Sequence, residues 1–297
     1  MKIKTRRYYL YFLAKFGLLI IRMLPIRLLS CIGRQIGLFV YYFDKKIRAL
    51  TVNNLKSAFR DKSEKEIKDM AKGVFSHCIM AGCDFVASSR LTDAQIVKWI
   101  KPQGIERLYK VLENGKGAII LTAHLGNWEL LAQYVTAKKI LSGTIAKKLY
   151  FSRYEDILYK MRTQRGFTVF YREEPMKKVL RFLKKNGILG ILADQDIDSI
   201  DGVFVNFFGK PAYTPVGPVK IANKTGAALV QCYVIKEKNG YTFQVGDPIY
   251  VKDGKLTQDD IVDYTQRWTN VLESYIRKYP EQWVWMHDRW KTKKGSV

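Results

Sequence analysis

From residue 100 onward the chain alternates short apolar runs with stretches of helical period, and that rhythm limits it to a sheet covered by helices. Residues 117–122 (Gly-Ala-Ile-Ile-Leu-Thr) and 188–193 (Ile-Leu-Gly-Ile-Leu-Ala) read as buried strands. Residues 227–235 read as another strand, and 241–245 can return beside it as a hairpin. Helices are predicted over 128–136, 176–185, 218–224 and 257–279. The expected class is α/β, with a central mixed sheet flanked by helices. An N-terminal helical membrane-associating region precedes it.

Residues 44–99 read as helical. A helix over 45–60 is followed by Ser63-Glu64-Lys65-Glu66, a capping-box pattern that opens the next helix. That helix carries Ile67, Met70, Val74, Phe75, Cys78 and Ile79 at helical spacing. The expected division is therefore residues 1–43 as hydrophobic, basic anchoring helices and 44–297 as the catalytic region, helical over 44–99 and α/β over 100–297. With 297 residues the chain is near the upper limit for one core.

Residues 8–43 are rich in Leu, Ile, Phe and Tyr, but Lys15, Arg22, Arg27 and Arg34 interrupt the run and Pro25 divides it. A bilayer span needs about 20 predominantly apolar residues, and the longest uncharged piece here is 35–43. No small-residue cleavage site follows the first apolar stretch, which argues against a cleaved signal peptide. Two interfacial helices fit best, with the Lys and Arg stems reaching to the headgroups. Ordinary core helices and a single tilted span are the alternatives.

The 51 Lys and Arg against 27 Asp and Glu leave a formal charge of +24, which calls for an anionic partner. Residues 1–60 hold thirteen of the basic residues and one acid, Asp44. Basic residues among greasy ones favour a membrane surface over nucleic acid. Cys31, Cys78, Cys83 and Cys232 form no CxxC pair, and a reducing, cytoplasmic setting is the simpler reading.

In an open α/β sheet, reactive groups collect in the loops after the strands. The strand ending at Thr122 runs straight into Ala-His-Leu-Gly-Asn-Trp-Glu, residues 123–129. Of the three histidines, His124 alone stands at a predicted strand end, and histidine titrates near neutrality as a general base. Gly126 permits a tight turn and Asn127 is a good N-cap. Glu129 then falls in the first helical turn, where it would stay ionised and could fold back towards the imidazole. A His–carboxylate pair with no adjacent Ser or Cys suits direct activation of a substrate hydroxyl.

His124, four intervening residues and Glu129 match the HX4D/E signature of glycerolipid-type acyltransferases. The wider context resembles the lipid A biosynthesis lauroyl/myristoyl acyltransferase family. It does so through 52–55 (Val-Asn-Asn-Leu), 124–129, 193–196 (Ala-Asp-Gln-Asp), 207–212 (Phe-Phe-Gly-Lys-Pro-Ala) and 280–291 (Pro-Glu-Gln-Trp-Val-Trp-Met-His-Asp-Arg-Trp-Lys).

That resemblance implies an O-acyltransferase of lipopolysaccharide biosynthesis with His124 as general base, oriented by Glu129. It implies a functional Arg162 in 159–162 and a structural or substrate-facing Asp194. The donor it implies is an acyl carrier protein thioester or a coenzyme A thioester. The acceptor is an anionic, phosphorylated glycolipid, with a mannosyl lipid or glycerophosphate as the alternative. Arg162 or a backbone N–H near Gly126 would stabilise the oxyanion, so Arg162, Asp194, Gly126 and Asn127 are expected to face substrate. No metal and no cofactor is expected. The expected location is the cytoplasmic face of an inner membrane, monotopic or with one N-terminal span.

Several neighbours have simpler readings. His287 reads as a packed or hydrogen-bonded residue, and His77, on a helix with Cys78, as a core or surface residue. The acids Asp194, Asp196 and Asp198 resemble a calcium loop, but Ser199 and Val205 stand where that loop needs Gly and Glu. Lys160 and Arg165 compete with Arg162 for its role. Trp283, Trp285 and Trp290 fit either an interface belt or internal packing.

Overall fold

The computed structural model describes residues 6–295. Residues 1–5, which open the expected anchoring region, and residues 296 and 297, which close the expected catalytic region, lie outside the described residues. Helices α1 (Arg6–Met23), α2 (Ile26–Phe43), α3 (Lys45–Ala58), α4 (Glu64–Ser88) and α5 (Asp93–Trp99) come first. Then follow β1 (Ile100–Gln103), α6 (Ile105–Glu113), β2 (Ala118–Thr122), α7 (Trp128–Ala137) and β3 (Ser142–Ala146). The middle of the chain supplies α8 (Ser152–Thr163), β4 (Thr168–Tyr171), α9 (Met176–Lys184) and β5 (Ile188–Leu192). The remainder forms β6 (Gly202–Phe207), β7 (Lys210–Pro215), α10 (Gly217–Thr225), β8 (Ala228–Glu237), β9 (Gly240–Ile249) and α11 (Gln258–Lys278).

The main sheet has seven strands in the order β1-β9-β8-β2-β5-β3-β4, and β6 pairs with β7 as a separate antiparallel ribbon. β2 lies parallel to both β5 and β8, while β8 and β9 are antiparallel, so the sheet is mixed. Alternate residues of a strand face opposite ways. On β2, Ile119 and Leu121 join a core shared with α4, α9, α10 and α11, whereas Ala118 and Ile120 join one shared with α5, α6 and α7. Covering both faces is what makes a wholly apolar strand stable. The 45–60 helix ends at Ala58, α5 falls within the 44–99 stretch expected to be helical, and β1, β3, β4, β6, β7, α6 and α8 lie outside the elements predicted from the sequence.

The helical N-terminal part is built around α4. Its predicted capping box is present: Ser63 Oγ accepts from the Glu66 N–H at 3.3 Å, and Glu66 Oε2 accepts from the Ser63 N–H at 2.9 Å. α2 packs on α4 through Leu29, Gly33, Gly37 and Tyr41. The approach is close enough that a Cβ on Gly37 would lie 2.3 Å from the Phe75 carbonyl oxygen. α1 and α2 are separated at Pro25 and leave Phe12, Phe16, Leu19, Met23, Phe39 and Phe43 exposed. Among the described residues no helix is long and apolar enough to cross a membrane. Trp283, Trp285 and Trp290 are buried, so the packing alternative holds for them.

Gly37→Ala should lower stability by about 2 kcal/mol through this overpacking. Gly82→Ala, with nothing within 4 Å of the added Cβ, should leave stability unchanged or raise it by up to about 1 kcal/mol. Denaturant unfolding of the two variants checks this, and equal effects would refute the close α2–α4 contact.

Candidate active site

The loop over 123–127 joins β2 to α7 and is fixed from three directions. Gly126 has φ +64°, and a Cβ there would lie 2.1 Å from the Val234 carbonyl oxygen. Only glycine meets both conditions without strain. Its N–H donates to the Gln282 carbonyl at 2.9 Å, and the Asn127 N–H donates to the Val234 carbonyl at 2.7 Å. The Gly126 carbonyl accepts from His77 Nε2 at 2.9 Å. Burial drives the His77 pKa down to about 4, so the ring stays neutral and donates that proton. Asn127 caps α7, accepting from the Leu130 N–H at 3.2 Å, and its Nδ2 donates to the Ala81 carbonyl at 2.9 Å.

These bonds bear on two expectations. The Gly126 N–H itself is taken by the Gln282 carbonyl, so an oxyanion would have to meet another N–H of the turn. Asn127 is buried and holds the loop instead of facing substrate. Both residues position the turn.

His124 projects from this turn with 23% of its side chain exposed, beside Asp194, which is 1% exposed. Asp194 follows β5, the parallel neighbour of β2. Its Oδ1 lies 2.9 Å from His124 Nδ1, and its Oδ2 accepts the His124 backbone N–H at 3.0 Å. Trp283 Nε1 donates to the same Oδ2 at 2.8 Å. Burial would lower the imidazole pKa, but the Asp194 charge and hydrogen bond outweigh it, and the net shift is upward. Burial opposes ionisation of Asp194 as well, yet His124 and Trp283 hold its pKa below the usual value. The carboxylate thus fixes the proton on Nδ1, and Nε2 is the nitrogen left to accept another.

The carboxylate that orients the ring is therefore Asp194, not Glu129. Glu129 instead forms a two-pronged pair with Arg162 of α8: Nε donates to Oε2 at 3.0 Å, and a terminal nitrogen donates to Oε1. The pair is 14% and 18% exposed. Burial disfavours the Arg162 cation, but Glu129 more than compensates and its pKa rises. Both charges act on the imidazole, Glu129 raising and Arg162 lowering its pKa. A continuous helix beginning at Trp128 aims Glu129 at α8, while the end of β5 brings Asp194 under the ring.

The competitors of Arg162 are placed elsewhere. Arg165 bonds Asp93 and Gln133, and Lys160 is exposed. Asp196 is bound by Thr292 and Asp198 pairs with Lys291, so the three acids of that segment face different partners. Among the described residues, no group of three or more His, Cys, Asp or Glu gathers as a metal site. His77 and Trp283 take positioning roles that the sequence did not reveal. Trp128, a neighbour in the motif, packs edge-on against the His124 ring at 5.0 Å between centroids.

A family model for bacterial lipid A biosynthesis acyltransferases matches residues 1–292. A phosphatidylinositol mannoside acyltransferase of Mycobacterium tuberculosis is 28% identical over 63% of this chain and 58% of that protein. The match thus spans less than two thirds of that relative. A lipid A biosynthesis lauroyltransferase of Escherichia coli is 25% identical over 98% of this chain and 94% of its own. A palmitoleoyltransferase of the same organism is 21% identical over 95% and 92%. A solved 1-acyl-sn-glycerophosphate acyltransferase of Thermotoga maritima covers 86% of this chain and 99% of its own, with a TM-score of 0.39 and 14% identity.

Titration of the three histidines by NMR should find His124 above the ordinary value of about 6.5, His77 near 4 and His287 below the ordinary value. Asp194→Asn should bring the His124 value down. An unmoved His124 titration in that variant would show that another group sets its pKa.

Proposed function

We propose that this chain, which belongs to the bacterial lipid A biosynthesis acyltransferase family, transfers a fatty acyl group from a thioester to a hydroxyl of a glycolipid. The observation that carries the reading is the His124–Asp194 pair at the end of the central strand, with one imidazole nitrogen bonded and the other without a hydrogen bond among the described residues. Nε2 takes the hydroxyl proton as the oxygen attacks the thioester carbonyl. The C–S bond then breaks, and the imidazolium returns the proton to the departing thiolate. Asp194 stabilises the imidazolium and keeps the ring in register.

Arg162 is the group best placed to meet negative charge on the carbonyl oxygen. Two of its nitrogens are engaged by Glu129, which leaves the third to donate. Glu129 then acts by aiming and holding Arg162. This division explains how a motif can need both a histidine and a carboxylate without a bond between them.

For the acceptor, a phosphorylated lipid A precursor is the first reading, because the relatives matched over nearly the whole chain are named for lipid A biosynthesis. A mannosyl lipid is the second, supported by the mycobacterial relative. Acyl carrier protein is the donor that suits a formal charge of +24, since an acidic carrier would be steered by it. The exposed apolar side chains of α1 and α2 support work at a membrane surface, on the cytoplasmic side where such donors are found.

His124→Ala should abolish transfer in a thioester-consumption assay while the fold is kept. Asp194→Asn should reduce kcat by about three orders of magnitude. Because the His124 pKa is raised and its neutral form is the base, wild-type activity should fall on the acid side from a point above the ordinary histidine value of about 6.5. Arg162→Ala should cost about a hundredfold in kcat. Near wild-type turnover by His124→Ala would overturn the mechanism. Mass spectrometry of lipids made with and without the protein separates the two acceptors.

A further inference from the structure

Behind the catalytic turn lies a concavity that the reaction does not use. It is a groove of about 1120 Å³ between α2, α4 and the β8–β9 turn. Two of its floor residues, His77 and Gln282, are the ones that grip Gly126. His124 and Asp194, bonded to each other, are not among the residues that line the groove.

The groove is basic. Arg27, Arg34, Lys72, Lys236 and Lys238 line it, against the carboxylates Glu237 and Glu281. Beneath it, Asp84 is fully buried and accepts from Ser30 Oγ at 2.6 Å and Tyr241 OH at 2.5 Å, with Lys236 Nζ 3.3 Å away. Asp84 thereby fixes Lys236 at the rim and is itself neutralised by it. Lys72 is bound to Asp69 at 2.9 Å. Arg27 and Arg34 make neither ion pair nor hydrogen bond through their guanidinium groups among the described residues, and the Arg34 charge acts on Glu281 across the groove without a direct contact.

The geometry of α2 selects the ligand. Arg27, Ser30 and Arg34 lie on one flank of the helix, towards the groove. The opposite flank carries Leu28, Ile36, Phe39 and Phe43, exposed by 46%, 46%, 60% and 71%. A helix lying in an interface with its apolar flank among acyl chains holds the opposite flank at the depth of the lipid phosphates. Unpaired guanidinium groups are suited to phosphate, which they bind in two-pronged fashion.

We propose that this groove is a second, non-catalytic site for the phosphate of an anionic lipid headgroup, held by Arg27 and Arg34. A concave site beside an apolar helix favours a lipid over the broad surface of an acidic protein. The proposal rests on the interfacial placement of α2, not on the acyl-transfer chemistry.

Calorimetric titration with soluble dihexanoyl phosphatidic acid tests the groove without a membrane, and sedimentation with phosphatidylcholine vesicles tests the interfacial placement separately. Arg27→Ala/Arg34→Ala should weaken phosphatidic acid binding roughly thirtyfold, from two basic contacts. Lys45→Ala/Lys46→Ala removes the same charge just beyond α2 and should change it little. Both pairs are surface side chains, so the variants should fold. Equal losses in the two variants, or none in the first, would overturn the site. So would inorganic phosphate binding as tightly as the lipid, which would assign the groove to the free anion. Loss of acyl carrier protein binding with lipid binding kept would assign it to the carrier. Failure to bind neutral vesicles would remove the interfacial placement of α2 and with it the assignment of the groove to a lipid.

Discussion

A buried carboxylate under a partly exposed imidazole sets the terms for the rest of this structure. Asp194 is almost wholly removed from water, and an unpaired charge there would be costly. Its two oxygens are satisfied by three donors: the His124 ring, the His124 backbone and the Trp283 indole. Those donors come from a loop after β2 and from the C-terminal segment, while the acceptor follows β5. The ionised state of Asp194 therefore exists only when three distant pieces of chain are assembled. Once it exists, it determines which imidazole nitrogen faces outward.

The same loop is where the N-terminal helices meet the sheet. α4 supplies His77 to the Gly126 carbonyl and the Ala81 carbonyl to Asn127. The segment after α11 supplies Gln282 to the Gly126 N–H, and the Val284 N–H donates to the His124 carbonyl. Parallel pairing of β2 with β8 completes the frame through Val234. The 280–291 block is thus structural support for the turn: its tryptophans pack inward, and Arg289, itself buried, bonds Tyr213 and Thr214 of the β6–β7 ribbon. The 207–212 block closes that ribbon, with Phe208 and Gly209 both at positive φ. Such a two-residue turn matches the twist of the strands it joins.

α2 connects this frame to the exterior. Its glycine face lies against α4, one flank is apolar and open, and the other is basic and lines a groove. A helix with three differing faces cannot be satisfied by packing on one neighbour. Phe12, Phe16, Leu19 and Met23 of α1 are exposed as well, and a cluster of exposed apolar side chains marks a contact surface.

The sequence by itself determined the α/β class, the central buried strands, the α4 capping box and the placement of His124 after a strand. Each of these follows from periodicity or from bonds between residues close in the chain, which is the range over which side-chain pattern and backbone geometry are coupled. The family resemblance also lay in the sequence, carried by blocks in order. Only the tertiary structure decided that Asp194 and not Glu129 holds the imidazole, that Gly126 and Asn127 serve the turn, and that His77 is a buried donor to it. Residues 124 and 194 are brought together by the pairing of β2 with β5, and nothing local encodes that pairing. Glu129 is near His124 in sequence, but the direction of a side chain in the first turn of α7 depends on what packs beside it, and there Arg162 of α8 was waiting.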